Sequence, residues 1–184
     1  MRKCLIVWAA LVLLVSCCAA AEEDRQIVAE FDDFVLRTAV ALDYRGEKAD
    51  GSPLFLFYPS AEGNVAMTAV NAVWNRSTEP MTPEEFSEVY RETEAGIRTR
   101  YEAGGRALKS YDVGETVEKE LWGLPALLCD ADLVVSINDT DVSLVQRGIR
   151  VTGSFGTYLF SLSAWSPELL EEATDTLIRS LEWK

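Results

Sequence analysis

VSLVQRGIRVTGSFGTYLFSLSAWSPELLEEATDTLIRSLEW, residues 142–183, changes its hydrophobic period once, and that change decides the fold class. Tyr158, Phe160, Leu162 and Ala164 fall on one face of an alternating run, with Leu159, Ser161 and Ser163 on the other. A repeat of two is the pattern of a strand with one buried side. The run before it, from Val142, reads as a partner strand, and Gly148, Gly153 and Gly156 read as a bulge and turn glycines. After Ser166-Pro167-Glu168 the repeat becomes helical. Leu170, Ala173, Leu177 and Leu181 form an inner stripe, Trp165 and Leu170 are placed as a hydrophobic staple, and Asp175 and Arg179 pair on the outer face.

Working upstream, Leu121–Ala126 opens a long strand that runs to Ile137, with Pro125 confined to its start or to an edge because it cannot donate to a ladder. Asn138-Asp139-Thr140-Asp141 turns the chain. If Asp139-Thr140 is the two-residue loop, Ser136 faces Ser143, Val134 faces Val145, Asp132 faces Arg147 and Leu128 faces Val151. The polar stretch Lys109–Glu120 includes a short strand around Val113–Val117. Before it, Thr82-Pro83-Glu84-Glu85 is a capping box with proline in the first turn. Phe86, Val89, Tyr90, Ile97 and Tyr101 then recur at helical spacing as far as Gly104-Gly105, which predicts one amphipathic helix of about 22 residues with Glu94 and Arg98 paired. Three further strands precede it, over Phe34–Leu42, Leu54–Tyr58 and Val65–Trp74, with a loop over Arg45–Pro53. The order βββ-α-ββββ-α, with meanders bracketing single helices, implies an α+β sandwich on an antiparallel sheet.

Composition narrows function mainly by exclusion. The chain has 184 residues, 48% of them apolar, and one domain is expected. Lys and Arg number 17 against 30 Asp and Glu, a net charge of −13. Without residues 1–21, which hold Arg2 and Lys3, the balance is 15 minus 30, or −15. Such a field repels nucleic acid and anionic lipid. There is no histidine, which removes Ser-His and Cys-His nucleophiles, imidazole zinc sites and the usual proton shuttle near neutral pH. Four cysteines give no disulfide framework, because Cys4, Cys17 and Cys18 cluster at the N-terminus and Cys129 reads as a buried small hydrophobe. A Cys18–Cys129 bridge would need the N-terminal tether to fold back.

Residues 1–21 follow a secretory plan, with basic Arg2 and Lys3 before the apolar run Leu5–Val15. That run is too short to span a bilayer as a helix. Leu14-Val15-Ser16-Cys17 resembles a bacterial lipobox in which Cys17 carries the lipid anchor, while Ala19-Ala20-Ala21 also suits ordinary signal peptidase. Residues 22–30 are then a short acidic tether and 31–184 the single folded domain. The expected location is the bacterial cell envelope, lipid-anchored to the membrane, with a soluble periplasmic or extracellular protein as the alternative.

Two stretches resemble the PsbP-like superfamily, which takes in the extrinsic photosystem subunit PsbP, a small Ran-binding nuclear import factor and many bacterial envelope proteins, often lipoproteins. They are the strand entry Gly123-Leu124-Pro125-Ala126 and the closing Gly156-Thr157-Tyr158-Leu159-Phe160-Ser161-Leu162 with Arg179-Ser180-Leu181-Glu182-Trp183. The resemblance covers roughly Phe31 to Lys184. It implies an α/β/α sandwich with a central antiparallel sheet of about six to seven strands and two main helices. It also implies a protein that binds or assembles rather than catalyses, without a cofactor. The bacterial look of the signal keeps the photosystem role and any metal site from being carried over.

The candidate chemistry is sparse. Asp130 and Asp132 lie two residues apart on one strand face, about 6.6 Å by strand rise, near the carboxylate separation of inverting glycosidases. A glycosidase needs its acids on opposite sides of a sugar, so an ion pair with Arg147 is the expected role. Asp139 and Asp141 offer oxygen ligands for calcium but lack the glycine and distant glutamate of an EF-hand loop. Gly148, Gly153 and Gly156 are followed by no Gly-Lys-Ser/Thr, so no phosphate loop is present. Trp122, beside Gly-Leu-Pro, is the tryptophan placed for an exposed binding surface. The leading expectation is a non-enzymatic envelope lipoprotein that binds a protein partner, with Trp122, Asp130, Asp132 and Arg147 as the candidate surface. The alternative is a small-ligand or divalent-cation module for calcium or manganese, and a carboxylate-based hydrolase ranks below both.

Overall fold

The computed structural model describes residues 26–38, 42–47, 53–57 and 68–184. The signal segment, the lipobox with Cys17, and Cys18 lie outside the described residues, as do the first residues of the acidic tether. The elements in chain order are β1 (Gln26–Glu30), β2 (Phe34–Thr38), β3 (Leu42–Glu47), β4 (Pro53–Phe57), β5 (Thr68–Asn75), α1 (Pro83–Glu92), α2 (Glu94–Ala103), β6 (Ala107–Val113), β7 (Val117–Leu121), β8 (Leu124–Ile137), β9 (Thr140–Gly153), β10 (Gly156–Ala164), α3 (Pro167–Ser180) and β11 (Leu181–Trp183).

The long strands form an antiparallel sheet in the order β3-β4-β5-β10-β9-β8-β6, and β7 pairs with β8 beside β6. β7 takes the Leu124–Leu128 end of β8 and β6 the Ala131–Ser136 end, so the two share one edge position. Alternation along β8 divides the core. Ala126 and Leu128 join Ile149, Val151, Phe160 and Leu162 under Leu170, Ala173 and Leu177 of α3. Leu127, Cys129, Ala131, Leu133 and Val135 meet Phe86, Tyr90 and Leu108 on the other side. Helices therefore cover both faces of the sheet, and the α/β/α sandwich with its capping box at Thr82 and Glu85 is present. Cys129 is fully buried, as its apolar surroundings in the sequence imply.

Several boundaries differ from the sequence reading, each for a local reason. The long helix is broken at Thr93. There Thr93 Oγ1 donates to the Tyr90 carbonyl at 2.6 Å and the Tyr111 hydroxyl reaches the same oxygen at 3.3 Å. With that carbonyl taken by side chains, the backbone ladder has a competitor at this turn. Val89, expected inward, is exposed, while Glu94 and Arg98 pair at 2.7 Å as expected.

The Phe34–Leu42 run is not one strand: β2 ends at Thr38, residues 39–41 lie outside the described residues, and Leu42 opens β3. β2 belongs to a small sheet β1-β2-β11, whereas β3 pairs with β4 in the large one. Period-two patterning says nothing about the pairing partner, so a change of sheet leaves no mark in it. Arg45, Gly46 and Glu47, expected in a loop, belong to β3, and residues 48–52 of that stretch lie outside the described residues. Gln26–Glu30, read as tether, is β1, and Leu181, read as the end of the helical stripe, opens β11 against Leu36.

The polar segment holds two strands, β6 and β7, rather than one around Val113–Val117. β8 begins at Leu124 after a left-handed turn at Trp122 (φ 55°) and Gly123 (φ 73°). Arg179 donates to the Asp175 backbone carbonyl instead of its carboxylate. Leu170 is buried but Trp165 keeps 47% of its surface exposed, so the expected staple buries one of its two members.

The β8–β9 hairpin turns on Asn138 and Asp139, both left-handed (φ 51° and 62°), rather than on Asp139-Thr140. Asn and Asp tolerate that region, and the twist of such a primed turn suits a hairpin. The register consequently slips by two: Ser136 faces Asp141, Val134 faces Ser143, Asp132 faces Val145, Asp130 faces Arg147 and Leu128 faces Ile149. An even slip keeps every side chain on its expected face. Gly148 is no bulge, for its pairing with Cys129 and Ser161 is regular. A Cβ at Gly148 would overlap the Tyr90 ring, so the glycine admits the tyrosine to the sheet.

Candidate functional site

β9 carries Arg147 and Arg150 on opposite faces of the sheet, and around them lie the two polar arrangements of the domain. Arg147 faces α3 and is 8% exposed. Its Nε and Nη2 donate to the two oxygens of Asp130, both at 2.7 Å. Its Nη1 and Nη2 donate to Glu171 at 3.0 and 2.7 Å, and Nη1 also reaches Thr174 Oγ1 at 3.2 Å. All five guanidinium hydrogens are engaged. The hydrogen bonds from Asp130 and Glu171 push the Arg147 pKa up against the opposing effect of burial. The same guanidinium holds the Glu171 carboxyl below its ordinary range. Such doubly bidentate geometry fixes strand to helix.

The register slip decides which aspartate meets Arg147. Asp132, the sequence expectation, lies opposite Val145 on one side and Asp112 on the other, exposed to water. Asp139 and Asp141 stand at the hairpin, and among the described residues no three Cys, Asp or Glu side chains are grouped as a metal site would need. Trp122 is half-buried. Its Nε1 donates to the Ile178 carbonyl at 2.8 Å and its ring lies 6.1 Å from Phe160 and 5.8 Å from Trp183. It clamps the β7–β8 turn to α3. Glu171 and Thr174, which complete the Arg147 node, follow from the sequence only once Arg147 is known to be buried on the α3 side.

Arg150 faces the other way, toward α1. Nη1 donates to Thr152 Oγ1 at 3.0 Å, and Nη2 to the Glu79 carbonyl at 2.7 Å and to Thr157 Oγ1 at 3.4 Å. Thr152 and Thr157 bond each other at 3.1 Å, and Thr157 donates to the Ser77 carbonyl at 2.8 Å. No carboxylate pairs with Arg150 among the described residues, and burial alone lowers its pKa. It lies in a cleft of about 700 Å³ lined also by Pro80, Met81, Pro125, Leu127 and Thr152, and by the charged Glu118, Lys119 and Glu120. The sequence signal for it was a lone arginine alternating with the inward Ile149 and Val151.

No family model and no curated protein matches the chain. Among solved structures it is similar to the solution structure of cyanobacterial PsbP (CyanoP) from Synechocystis sp. PCC 6803. That likeness has a TM-score of 0.51 at 11% sequence identity, covering 88% of this chain and 93% of that one. At this identity the likeness speaks for the fold alone, and it agrees with the sandwich described above: this chain has a PsbP-like fold.

Proposed function

We propose that the chain is a non-enzymatic binding and assembly module of a bacterial cell envelope, exported and tethered through a lipid on Cys17. The observation that supports it most is the uneven cover of the sheet. On the Arg150 side, α1 and α2 pack on β8 and β6, while α3 packs on β10, β9 and β5 from the other side. Leu159, Ser161 and Ser163 of β10 stay partly exposed there, and Val73 of β5 is 39% exposed. A rigid, mixed polar and apolar sheet surface suits protein contact better than chemistry. The hydrolase reading rested on Asp130 and Asp132, and the bidentate hold of Arg147 on Asp130 favours a structural role for that acid.

A photo-crosslinking residue at Ser163, compared with one at Thr176 on the exposed side of α3, tests the reading in native envelopes. A discrete adduct from position 163 and none from 176 is expected; equal labelling from both would defeat it. Mass spectrometry of the mature N-terminus tests the anchor, and an unmodified start at Glu22 would remove it. A second reading, a small-ligand or divalent-cation module, is favoured by the cleft at Arg150. Its cation half is tested by calorimetric titration with calcium and manganese, where no heat and no shift in melting temperature would end it.

A further inference from the structure

We propose that the cleft over Arg150 is a binding site for a small monocarboxylic acid with an apolar body. The inference rests on the cleft and does not depend on the Cys17 anchor or on a protein partner. Arg150 is a partly desolvated cation without an ion-pair partner among the described residues, in a chain whose net charge is −13. Taking a charge from water without pairing it is costly, so such a group is expected to be completed by something. Of its five N–H donors, three are used, one on Nη1 and two on Nη2. Nε–H and the second Nη1 hydrogen have no acceptor among the described residues.

The guanidinium is also held in advance. The Glu79 carbonyl and the Thr152–Thr157 pair fix its plane, and Thr157 is itself tied to the Ser77 carbonyl. A preset donor loses little freedom on binding. Around it Pro80, Met81, Pro125 and Leu127 supply an apolar wall, and the unbranched methionine adapts to the shape of an apolar body. A cleft of about 700 Å³ whose lining joins an apolar wall to charged and hydroxyl side chains has the size of a small-molecule site.

Charge sets the class. Glu118, Lys119 and Glu120 line the cleft with Arg150, so its four charges sum to zero, and a single carboxylate on an uncharged body unbalances them less than a dianion such as a phosphate monoester. Thr, Glu, Lys and Arg are the reactive types in the lining, with neither a thiol nor an activated hydroxyl.

Three probes of one shape test this: 4-phenylbutyrate, 4-phenylbutanamide and 4-phenylbutylamine, titrated calorimetrically into the purified chain. The acid is expected to bind saturably, and Arg150→Gln to weaken it by about tenfold or more, the loss expected when a charge-assisted contact is removed. Arg150→Lys, which keeps the charge and loses the fork, is expected to retain part of the affinity. Equal binding of acid and amide would overturn the role of charge, and preference for the amine would assign the cleft to Glu118 and Glu120 instead. Should Arg150→Gln fail to fold, chemical-shift mapping on the unaltered chain decides. Perturbations at Met81, Leu127, Thr152 and Arg150 Nε are expected, and perturbations confined elsewhere overturn the site.

Discussion

Arg147 and Arg150 stand three residues apart on β9, yet the sheet gives them opposite fates. Arg147 points under α3, where Asp130 from β8 and Glu171 from the helix take both edges of its guanidinium and Thr174 takes the last hydrogen. Arg150 points toward α1, where it finds two threonines and a backbone carbonyl but, among the described residues, no carboxylate partner. A charge neutralised inside the protein has a structural task. One left half-satisfied at a cleft is available to something outside. In a chain with 30 acids, the missing partner at Arg150 is not a shortage of carboxylates. It is a matter of where the fold puts them.

The comparison breaks most sharply if the charges around Arg147 are removed. Neutralising both partners, Asp130→Asn with Glu171→Gln, leaves a guanidinium that is 8% exposed without its counter-charges. The expected loss is about 3–5 kcal/mol of folding stability, the range for a buried pair stripped of one side. Urea unfolding would read it as a lower midpoint at unchanged slope. Removing the cation instead should cost less. Asp130 and Glu171 keep 52% and 64% of their side-chain surface exposed, so both hydrate once released, and methionine replaces the buried stem. Arg147→Met is accordingly expected to lose about 1–3 kcal/mol. If it loses more than the double neutralisation, the node acts through packing of the arginine stem and not through charge.

How much of this was legible in the sequence follows from what periodicity encodes. The strand–strand–helix unit from Val142 was readable because repeats of two and of 3.6 report burial directly. The Thr82 cap was readable because its chemistry is local. The partner of Arg147 was not, since register hangs on which two residues carry the turn. Asn138-Asp139 and Asp139-Thr140 are adjacent choices, and between them Asp130 replaces Asp132. The even slip preserved the faces, so the core was right while the ion pair was wrong. Trp122 was misleading for a similar reason: its neighbours Gly123 and Pro125 signal a turn, but not that the indole reaches back to Ile178. The cleft was least legible, because it joins Pro80 and Met81 before α1 to β7, β8 and β9, and no short window contains it.

Acid titration sharpens the contrast with a smaller effect. Arg147 depresses the Glu171 pKa below its ordinary 4.5. A depressed carboxylate contributes stability that is fully present above the unfolded value and lost as pH falls through the lower folded one. Stability should therefore decline as pH drops below about 4.5, and Glu171→Gln should flatten that decline relative to the unaltered chain. The exposure of Glu171 keeps its share modest. Unfolding midpoints measured from pH 6 to pH 3 check it. Parallel curves for the two proteins would mean that Glu171 is only a bystander to the Asp130–Arg147 pair.

The smallest expected change is the most telling. Arg150→Met removes hydrogen bonds to the Glu79 carbonyl and to Thr152, which costs stability, but it also removes a partly desolvated cation that no described residue pairs. The two effects oppose each other, and the released Glu79 carbonyl belongs to an exposed residue that water can serve. Thermal unfolding at pH 7 should differ from the unaltered chain by no more than about 0.5 kcal/mol in either direction. The same substitution should abolish the carboxylate selectivity of the cleft. A residue whose loss leaves the fold alone and empties a site is kept for the site, because groups retained for binding are often neutral or costly to stability. A loss above about 2 kcal/mol, of the kind produced by breaking a buried network, would place Arg150 beside Arg147 as a structural node. In that case the two arginines would differ only in the kind of oxygen that holds them.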